Sequence, residues 1–452
     1  MKASKESTTL VRIRDNGTSG EGYETAMLNG ATTKYTAFDA VGNIAASSQI
    51  TAGSTYSFTY AYNLAGSLNY EVYPSGRAIT ETYDAANRPS TLTGTLSGGQ
   101  TPYITQTAYW PHGLKSFVRG SNLWYAAGYN DRLQLSESYE AINNNNSNIL
   151  QVSCLNWGVQ PNFGGAILAQ CPVSSTTNDN GDLQSVIFKN GGPGYPQFLS
   201  FTQSFGYDGV HRLTSASDSG GWSRNFAYDS YGNMWVASNS GISLNGNTPT
   251  SNVYTAANRN SGSSYDASGN QLAVNGDTAT YDAENRLSSV TESPSMGGGT
   301  ETLVYDGDGK RVQKILPSGT TNYVYDAFGR LVAEYATNPT ESPCTTCYLS
   351  YDHLGSVRMV TDVSANVIAR HDFLPFGEEL PPNSGGRNGQ WGPGDDNITQ
   401  KFTGQIRDEE TDLDYFNARY FGAALGRFTS PDPKNAGANP LNPQSFNALI
   451  RR

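Results

Sequence analysis

The chain has 452 residues, of which 37% are hydrophobic, 15% charged and 11% aromatic. Its 28 tyrosines outnumber Phe and Trp together, which excludes a disordered chain. The formal net charge of −11 excludes a global electrostatic footprint for nucleic acid or for an anionic membrane surface. Low charge with abundant Tyr, Gly, Ser, Thr and Asn predicts an all-β chain of short strands joined by tight turns.

The first residues, MKASKESTTLVRIRD, carry basic groups but no apolar run, so no signal peptide is expected at this end; a secreted protein lacking its front end fits. Residues 1–139 read as a worn repeat block, with copies of one unit at Phe38 (FDAVGN), Tyr62 (YNLAGS), Tyr83 (YDAANR) and Tyr129 (YNDRL). Residues 140–177 read as a loop-like insertion with an asparagine run at 143–146. Their most apolar stretch, 152–173, is broken by Asn156, Gln160, Asn162 and Gln170, so no membrane span is expected. Cys154 and Cys171 have a spacing that permits a disulfide without requiring one.

The main array runs over 178–375. Its copies are Tyr207-Asp208, Tyr228-Asp229 with Gly232, Tyr265-Asp266 with Gly269, Tyr281-Asp282 with Asn285, Tyr305-Asp306 with Gly309, Tyr325-Asp326 with Gly329, and Tyr351-Asp352 with Gly355. A degraded copy starts at Tyr254. Spacings such as Tyr207 to Tyr228 and Tyr305 to Tyr325 are about twenty residues, enough for two strands and two turns. Within this block Cys344 and Cys347 form a CxxC. No second CxxC or HxxxH accompanies it, so a local disulfide or two inert thiols is expected rather than zinc. Residues 376–400 read as a Gly/Pro-rich linker, 401–433 as a denser motif block and 434–452 as a loose tail. Helical periodicity is nearly absent, and the best helical candidate is short, at 413–419.

Each unit has a local physical reading. The Tyr closes a strand, its ring covering apolar surface and its hydroxyl free to stay wet. The Asp starts a turn by accepting a backbone N–H two residues on. Three residues after the Asp stands Gly or, failing that, Asn (Asn87, Asn258, Asn285). These are the residue types that best tolerate positive φ, as in a turn followed by a bulge. His211 occupies the same place. A return strand then alternates apolar and polar, as in Arg330-Leu-Val-Ala-Glu-Tyr335. The prediction is a long antiparallel sheet of hairpins curling as a spiral strip or partial hollow shell, each hairpin stabilised by its neighbours.

The unit resembles the YD repeat of the RHS family, which includes polymorphic toxins, toxin complex subunits, wall-associated proteins and teneurins. Asp352-His-Leu-Gly-Ser-Val-Arg358 and Asp372-Phe-Leu-Pro-Phe-Gly-Glu378 resemble its DHLGS and PFG segments. Phe402-Thr-Gly, Tyr415-Phe-Asn-Ala-Arg-Tyr-Phe421 and Gly426-Arg-Phe-Thr-Ser-Pro-Asp-Pro433 resemble its repeat-associated core. The resemblance covers most of the chain, except the 140–177 insertion and the tail. It implies a β-strip shell around a polypeptide cargo, with the core as a plug that cuts the chain through aspartates. Asp432 best matches one of those aspartates. No second aspartate follows it and the family's cleavage-site segment is absent, so self-cleavage is not expected and a truncated copy is. The resemblance implies a secreted or cell-surface setting, with the cargo or the remaining shell in another chain.

Other chemistry is weaker. Asp408, Glu409, Glu410, Asp412 and Asp414 offer a glycosidase or cation reading, but crowding does not supply a fixed carboxylate separation, and a solvated acidic segment is expected instead. Asp306-Gly-Asp-Gly309 fails as an EF-hand loop. The Gly-rich runs near Gly191 and Gly297 lack a following GK[ST]. His112, His211, His353 and His371 are scattered, although His353 and His371 could meet on adjacent hairpins. Exposed Tyr and Trp on a sheet face offer a carbohydrate-binding alternative against the simpler role of covering the sheet itself. No cofactor or metal is expected.

Overall fold

The computed structural model describes residues 11–15, 22–26, 31–158, 171, 179–192, 199–293, 298–339, 342–388, 391 and 396–432. The 434–452 tail and most of 159–178 lie outside them. The described residues form four antiparallel sheets, of 18, 7, 3 and 4 strands. The 18-stranded sheet runs from Val11–Asp15 to Met234–Ser240, each strand pairing with its successor. The seven-stranded sheet runs from Ala273–Val274 to Leu331–Ala336. The third comprises Tyr348–Tyr351, Val357–Thr361 and Val367–Arg370. The last comprises Ile406–Asp408, Leu413–Tyr415, Tyr420–Gly422 and Arg427–Phe428.

One turn builds the strip. In the Tyr228 unit, Asp229 N–H donates to Asn233 O (3.1 Å) and Gly232 N–H to Asp229 O (3.1 Å). Asp229 Oδ1 accepts from the N–H groups of Tyr231 (2.9 Å) and Asn233 (3.0 Å), and Oδ2 accepts from Asn233 Nδ2 (2.7 Å). The same backbone pair recurs at Asp208, Asp266, Asp282, Asp306, Asp326 and Asp352. The closing hydrogen bond forces positive φ three residues after the Asp: +83° at Gly232, +91° at Gly269, +83° at Gly309, +78° at Gly329, +84° at Gly355 and +62° at Asn285. His211 (+63°), Leu133 (+65°) and Ala365 (+63°) are held there too, so hydrogen bonding overrides side-chain preference at the worn copies. The turn recurs without its Asp at Tyr73–Arg77, Leu374–Glu378 and Lys401–Gln405, and with an Asp but no Tyr at Asp362. The PFG and FTG segments are thus further copies of the same turn.

In five units the tyrosine hydroxyl is not left wet, which corrects the sequence expectation there. It donates to a carbonyl of a neighbouring hairpin: Tyr228 to Leu213 O (2.7 Å), Tyr281 to Gln271 O (3.0 Å), Tyr305 to Leu287 O (2.7 Å), Tyr325 to Arg311 O (3.0 Å) and Tyr207 to Leu183 O (3.1 Å). Burial pushes the Tyr207 hydroxyl up to about 12 and Tyr305 well above its usual value. The reason is the tilt of successive hairpins, which brings each ring over the start of the previous return strand.

The strip winds on itself. Gln49 Nε2 donates to Tyr323 O (2.8 Å), and Tyr325 N–H donates to Gln49 Oε1 (2.9 Å). Further along, Glu71 meets Arg330, Pro102 meets Tyr348 and Glu140 meets Ser350. Asn190 then meets Arg370, Asp218 meets Arg387 and Asn258 meets Arg427. The later winding follows the earlier in the same chain order. The separation falls from 276 residues at Gln49–Tyr325 to 169 at Asp218–Arg387. Along strand Gly319–Tyr325, Val324 packs with Tyr56, Phe58 and Tyr60, while Tyr323 and Tyr325 pack with Val312 and Ile406. The seven-stranded sheet therefore lies between the outer strip and the last segment of the chain.

Three local expectations are corrected. Residues 413–419 are not a helix: Leu413–Tyr415 pairs with Tyr420–Gly422 across a turn with Asn417 at φ +60°. The spacing of Leu413, Phe416 and Tyr420 imitated a helical face over a segment too short to decide. Residues 140–177 are not a surface loop throughout, since Ile149–Asn156 is a buried strand paired on both sides. Residues 376–400 are not a mere linker, because Arg387, Trp391 and Asp396 are buried. Cys154 is joined to Cys171, and Cys344 to Cys347, as disulfides.

Candidate functional site: the buried seam between strip and C-terminal plug

The four short strands over 406–428 form a plug whose underside is apolar. Leu413, Tyr415 and Tyr420 pack into one cluster with Val274, Ala279, Leu287, Val290, Leu303 and Tyr305. Charge is threaded through that contact. Arg311 is wholly buried: its guanidinium pairs with Asp408 and donates to Tyr420 Oη (2.8 Å), and its backbone N–H donates to Tyr415 Oη (2.8 Å). Its plane lies over the rings of Tyr323 (4.4 Å) and Tyr415 (4.7 Å). Lys314 reaches Asp408 (3.4 Å) and Glu410 (2.9 Å). Burial and the adjacent Asp408 push the Glu301 carboxyl up to about 8. Arg407 grips Asp414 with two bonds of 2.9 Å.

A second ionic cluster ties the preceding segment to the outer strip. Arg387 pairs with Asp218 (3.0 and 2.8 Å) and with Asp372 (2.9 Å from Nε), and Arg358 also reaches Asp372 (2.6 Å). Burial alone would raise the Asp372 carboxyl, but Arg358 and Arg387 hold it below the usual range. His371 sits between Glu379 (2.6 Å) and Asp396 (2.7 Å). Burial opposes its protonation, yet the two carboxylates raise its pKa above the usual value. His353 instead meets Trp157 edge-on.

The acidic run is thereby reassigned. Asp408 and Asp414 are fully buried counter-ions, not a solvated segment, because the plug folds them under itself onto Arg311 and Arg407. Asp306–Gly309 is a hairpin turn. No group of His, Cys, Asp and Glu among the described residues has the arrangement of a metal site. Trp222 and Trp391 are buried, and none of the six tryptophans is exposed, which leaves Tyr70, Tyr231, Phe328 and Tyr351 as the exposed rings among the described residues. Asp432 borders a cavity of about 460 Å³ between plug and strip and stands 3.6 Å from Arg419. No helix among the described residues is long and apolar enough to cross a membrane.

The buried arginines were missed from the sequence, although one left a signal. Arg311 stands five residues after Asp306, where five of the aligned copies carry Leu213, Met234, Leu287, Leu331 and Val357 and one carries Gln271. A charge at an inward apolar position calls for a partner, but nothing local identifies Asp408 as that partner.

A hairpin strip wound on itself and closed by a plug defines a repeat-built β shell. The family model described as RHS Repeat matches residues 305–340 of this chain. The chain is 26% identical over 252 residues to the tRNA nuclease WapA of Bacillus subtilis (strain 168), covering 50% of this chain and 10% of that protein. It is 26% identical over 308 residues to the double-stranded DNA deaminase toxin A of Burkholderia cenocepacia (strain H111), covering 52% and 21%. The fold matches the crystal structure of TcdB2-TccC3-Cdc42 with a TM-score of 0.71 at 15% identity, over 93% of this chain and 24% of that one. It also matches TcdB2-TccC3 without its hypervariable C-terminal region, at 0.63 and 15%, over 94% and 24%. The chain thus aligns with at most about a quarter of these matches' lengths.

Proposed function

We propose that this chain is a non-enzymatic wall segment of an RHS shell in a secreted or cell-surface toxin or contact system, enclosing or presenting a polypeptide. The observation that carries the reading is the winding: later strands line the inner face of earlier ones in chain order, and the described chain ends in a buried plug. The relatives support it from another side. One is named a tRNA nuclease and another a DNA deaminase, yet both resemble this chain through about half its length. A chain that resembles relatives of two different chemistries is better suited to holding an effector than to being one. Asp432 faces the Arg419 guanidinium beside the cavity, which supports a non-cleaving role.

The test is protection of cargo. An unstructured reporter segment is placed after residue 452, and its digestion is followed by denaturing gel with and without sub-denaturing urea. Containment predicts a reporter that resists protease until the wall opens. Digestion at the rate of the free reporter, with the wall intact, overturns the reading. Spontaneous cleavage abolished by Asp432→Asn would overturn the non-enzymatic part alone.

A further inference from the structure

The cavity between plug and strip has an excess of cationic side chains in its lining. Its walls come from the turns around Asn233, Asn258 and Gly269 and from the chain between Arg419 and Asp432. Three guanidiniums line it, from Arg259, Arg419 and Arg427, against one carboxylate, Asp432. Other buried arginines have close carboxylate partners, Arg407 with Asp414, Arg387 with Asp218 and Asp372, and Arg311 with Asp408, while Arg370 is held by the neutral acceptors Asn190, Leu150 O and Gly191 O.

None of the three is saturated. The Arg419 side chain is 12% exposed, and its one carboxylate partner among the described residues lies 3.6 Å away, beyond good hydrogen-bond length. Burial lowers its pKa from the usual guanidinium value, and Asp432 offsets only part of that. Arg427 finds neutral partners, Asn258 O (3.2 Å) and Asn233 Oδ1 (3.5 Å). Arg259 lies over the Tyr265 ring (5.3 Å), Arg427 over Tyr254 (5.1 Å) and Arg419 over Phe428 (3.7 Å). Stacking occupies the faces of a guanidinium and leaves its in-plane N–H edges for acceptors. In a chain of net charge −11, three stacked and under-paired arginines around one cavity form an anion site.

We propose that this cavity binds a carboxylate-bearing peptide segment of the enclosed polypeptide, with Arg259, Arg419 and Arg427 holding the carboxylate. The peptide assignment rests on the containment reading above. It is favoured over a small inorganic anion because Met234, Leu425, Phe428 and Pro431 supply an apolar wall beside the arginines. Asp432 then acts as an internal competitor for Arg419.

The probes are fluorescein-labelled Ac-Leu-Glu-Leu-amide and its Gln counterpart, with binding read by fluorescence anisotropy on the full chain. The Glu probe is expected to bind at least tenfold tighter than the Gln probe. Arg259→Gln should weaken it about tenfold with an unchanged thermal midpoint, and Asp432→Asn should tighten it severalfold by freeing Arg419. Equal affinity for the two probes, or indifference to Arg259→Gln, overturns the site. Displacement of the Glu probe by sub-millimolar phosphate, but not by chloride at matched ionic strength, overturns the peptide assignment in favour of phosphate. The containment test reads reporter digestion and fails separately from either result.

Discussion

Asp408→Asn is the sharpest test of the plug. The substitution keeps the shape but removes the negative charge paired with Arg311, and both side chains are fully buried. Arg311 keeps Tyr420 Oη as an acceptor at 2.8 Å and its stacking on Tyr323 and Tyr415, but its charge is left without a counter-ion. Removing one partner of a buried pair costs ~3–5 kcal/mol, because the remaining charge stays desolvated. At ~1.4 kcal/mol per factor of ten, the plug should open roughly a hundred- to several-thousand-fold more often. Native-state hydrogen exchange of the amides in Ile406–Asp408, Leu413–Tyr415 and Tyr420–Gly422 measures that opening locally, without requiring the whole chain to unfold in one step. The double variant Arg311→Met with Asp408→Leu should recover most of the loss. A protection change below tenfold for Asp408→Asn, or a double variant no better than the single, would refute the claim that the pair holds the plug.

Stability should fall as pH rises from about 5 to 8. Glu301 is raised to about 8 by burial and by Asp408, and Glu71 to about 7 by burial, so both bind protons more tightly folded than unfolded. Their contribution is complete below the unfolded carboxyl range and is lost as pH passes the folded values. Urea midpoints across that range, flattened by Glu301→Gln, check the sign. Gly42 has φ +91° and open space around its Cβ position, so Gly42→Val should cost ~1–2 kcal/mol through backbone strain alone, and Gly42→Asn clearly less. Equal thermal shifts for the two would refute the turn argument. The Cys154–Cys171 bridge spans 17 residues, and its loss should cost ~3 kcal/mol by chain entropy. Cys154→Ser with Cys171→Ser, compared with the parent by urea denaturation, measures it.

The local half of the fold was legible in the sequence because it is local chemistry. A Tyr-Asp followed by Gly or Asn at the right place encodes one turn, and repetition encodes the strip. Leu374–Glu378 and Lys401–Gln405 escaped because the turn survives there on backbone hydrogen bonds and a positive-φ residue alone. The winding was not readable, since the contacts from Gln49 to Tyr325 or Asp218 to Arg387 span most of the chain. The acidic run at 408–414 was visible as composition, but its burial depends on Arg311 and Arg407, one of them nearly a hundred residues upstream of Asp408.

Repetition creates a problem that the buried ions address. Hairpins of one pattern present similar apolar faces every ~10 Å along a strip, two strands at ~4.8 Å each. Apolar contact alone would let the inner winding slide by one hairpin at little cost, as register slips do in weakly specified sheets. Ion pairs inside the turns repeat with the unit, as in Arg88–Asp84, Arg212–Asp208, Arg286–Asp282 and Arg330–Asp326, but those between distant segments do not. Arg387 meets Asp218, Arg330 meets Glu71 (2.9 Å), and Arg311 meets Asp408, each at a single alignment of the segments. A slip of one hairpin would bury several unpaired charges at once, at a few kcal/mol apiece. The pairs therefore select the winding register more than they stabilise the fold. Replacing Arg387, Asp218, Asp372 and Arg358 together by Met, Leu, Leu and Met should leave the thermal midpoint within a few degrees. It should also broaden a single native ion-mobility peak into several compact species. A single unbroadened peak with the midpoint retained would show that the apolar faces already fix the register, and this account of the ions would fall.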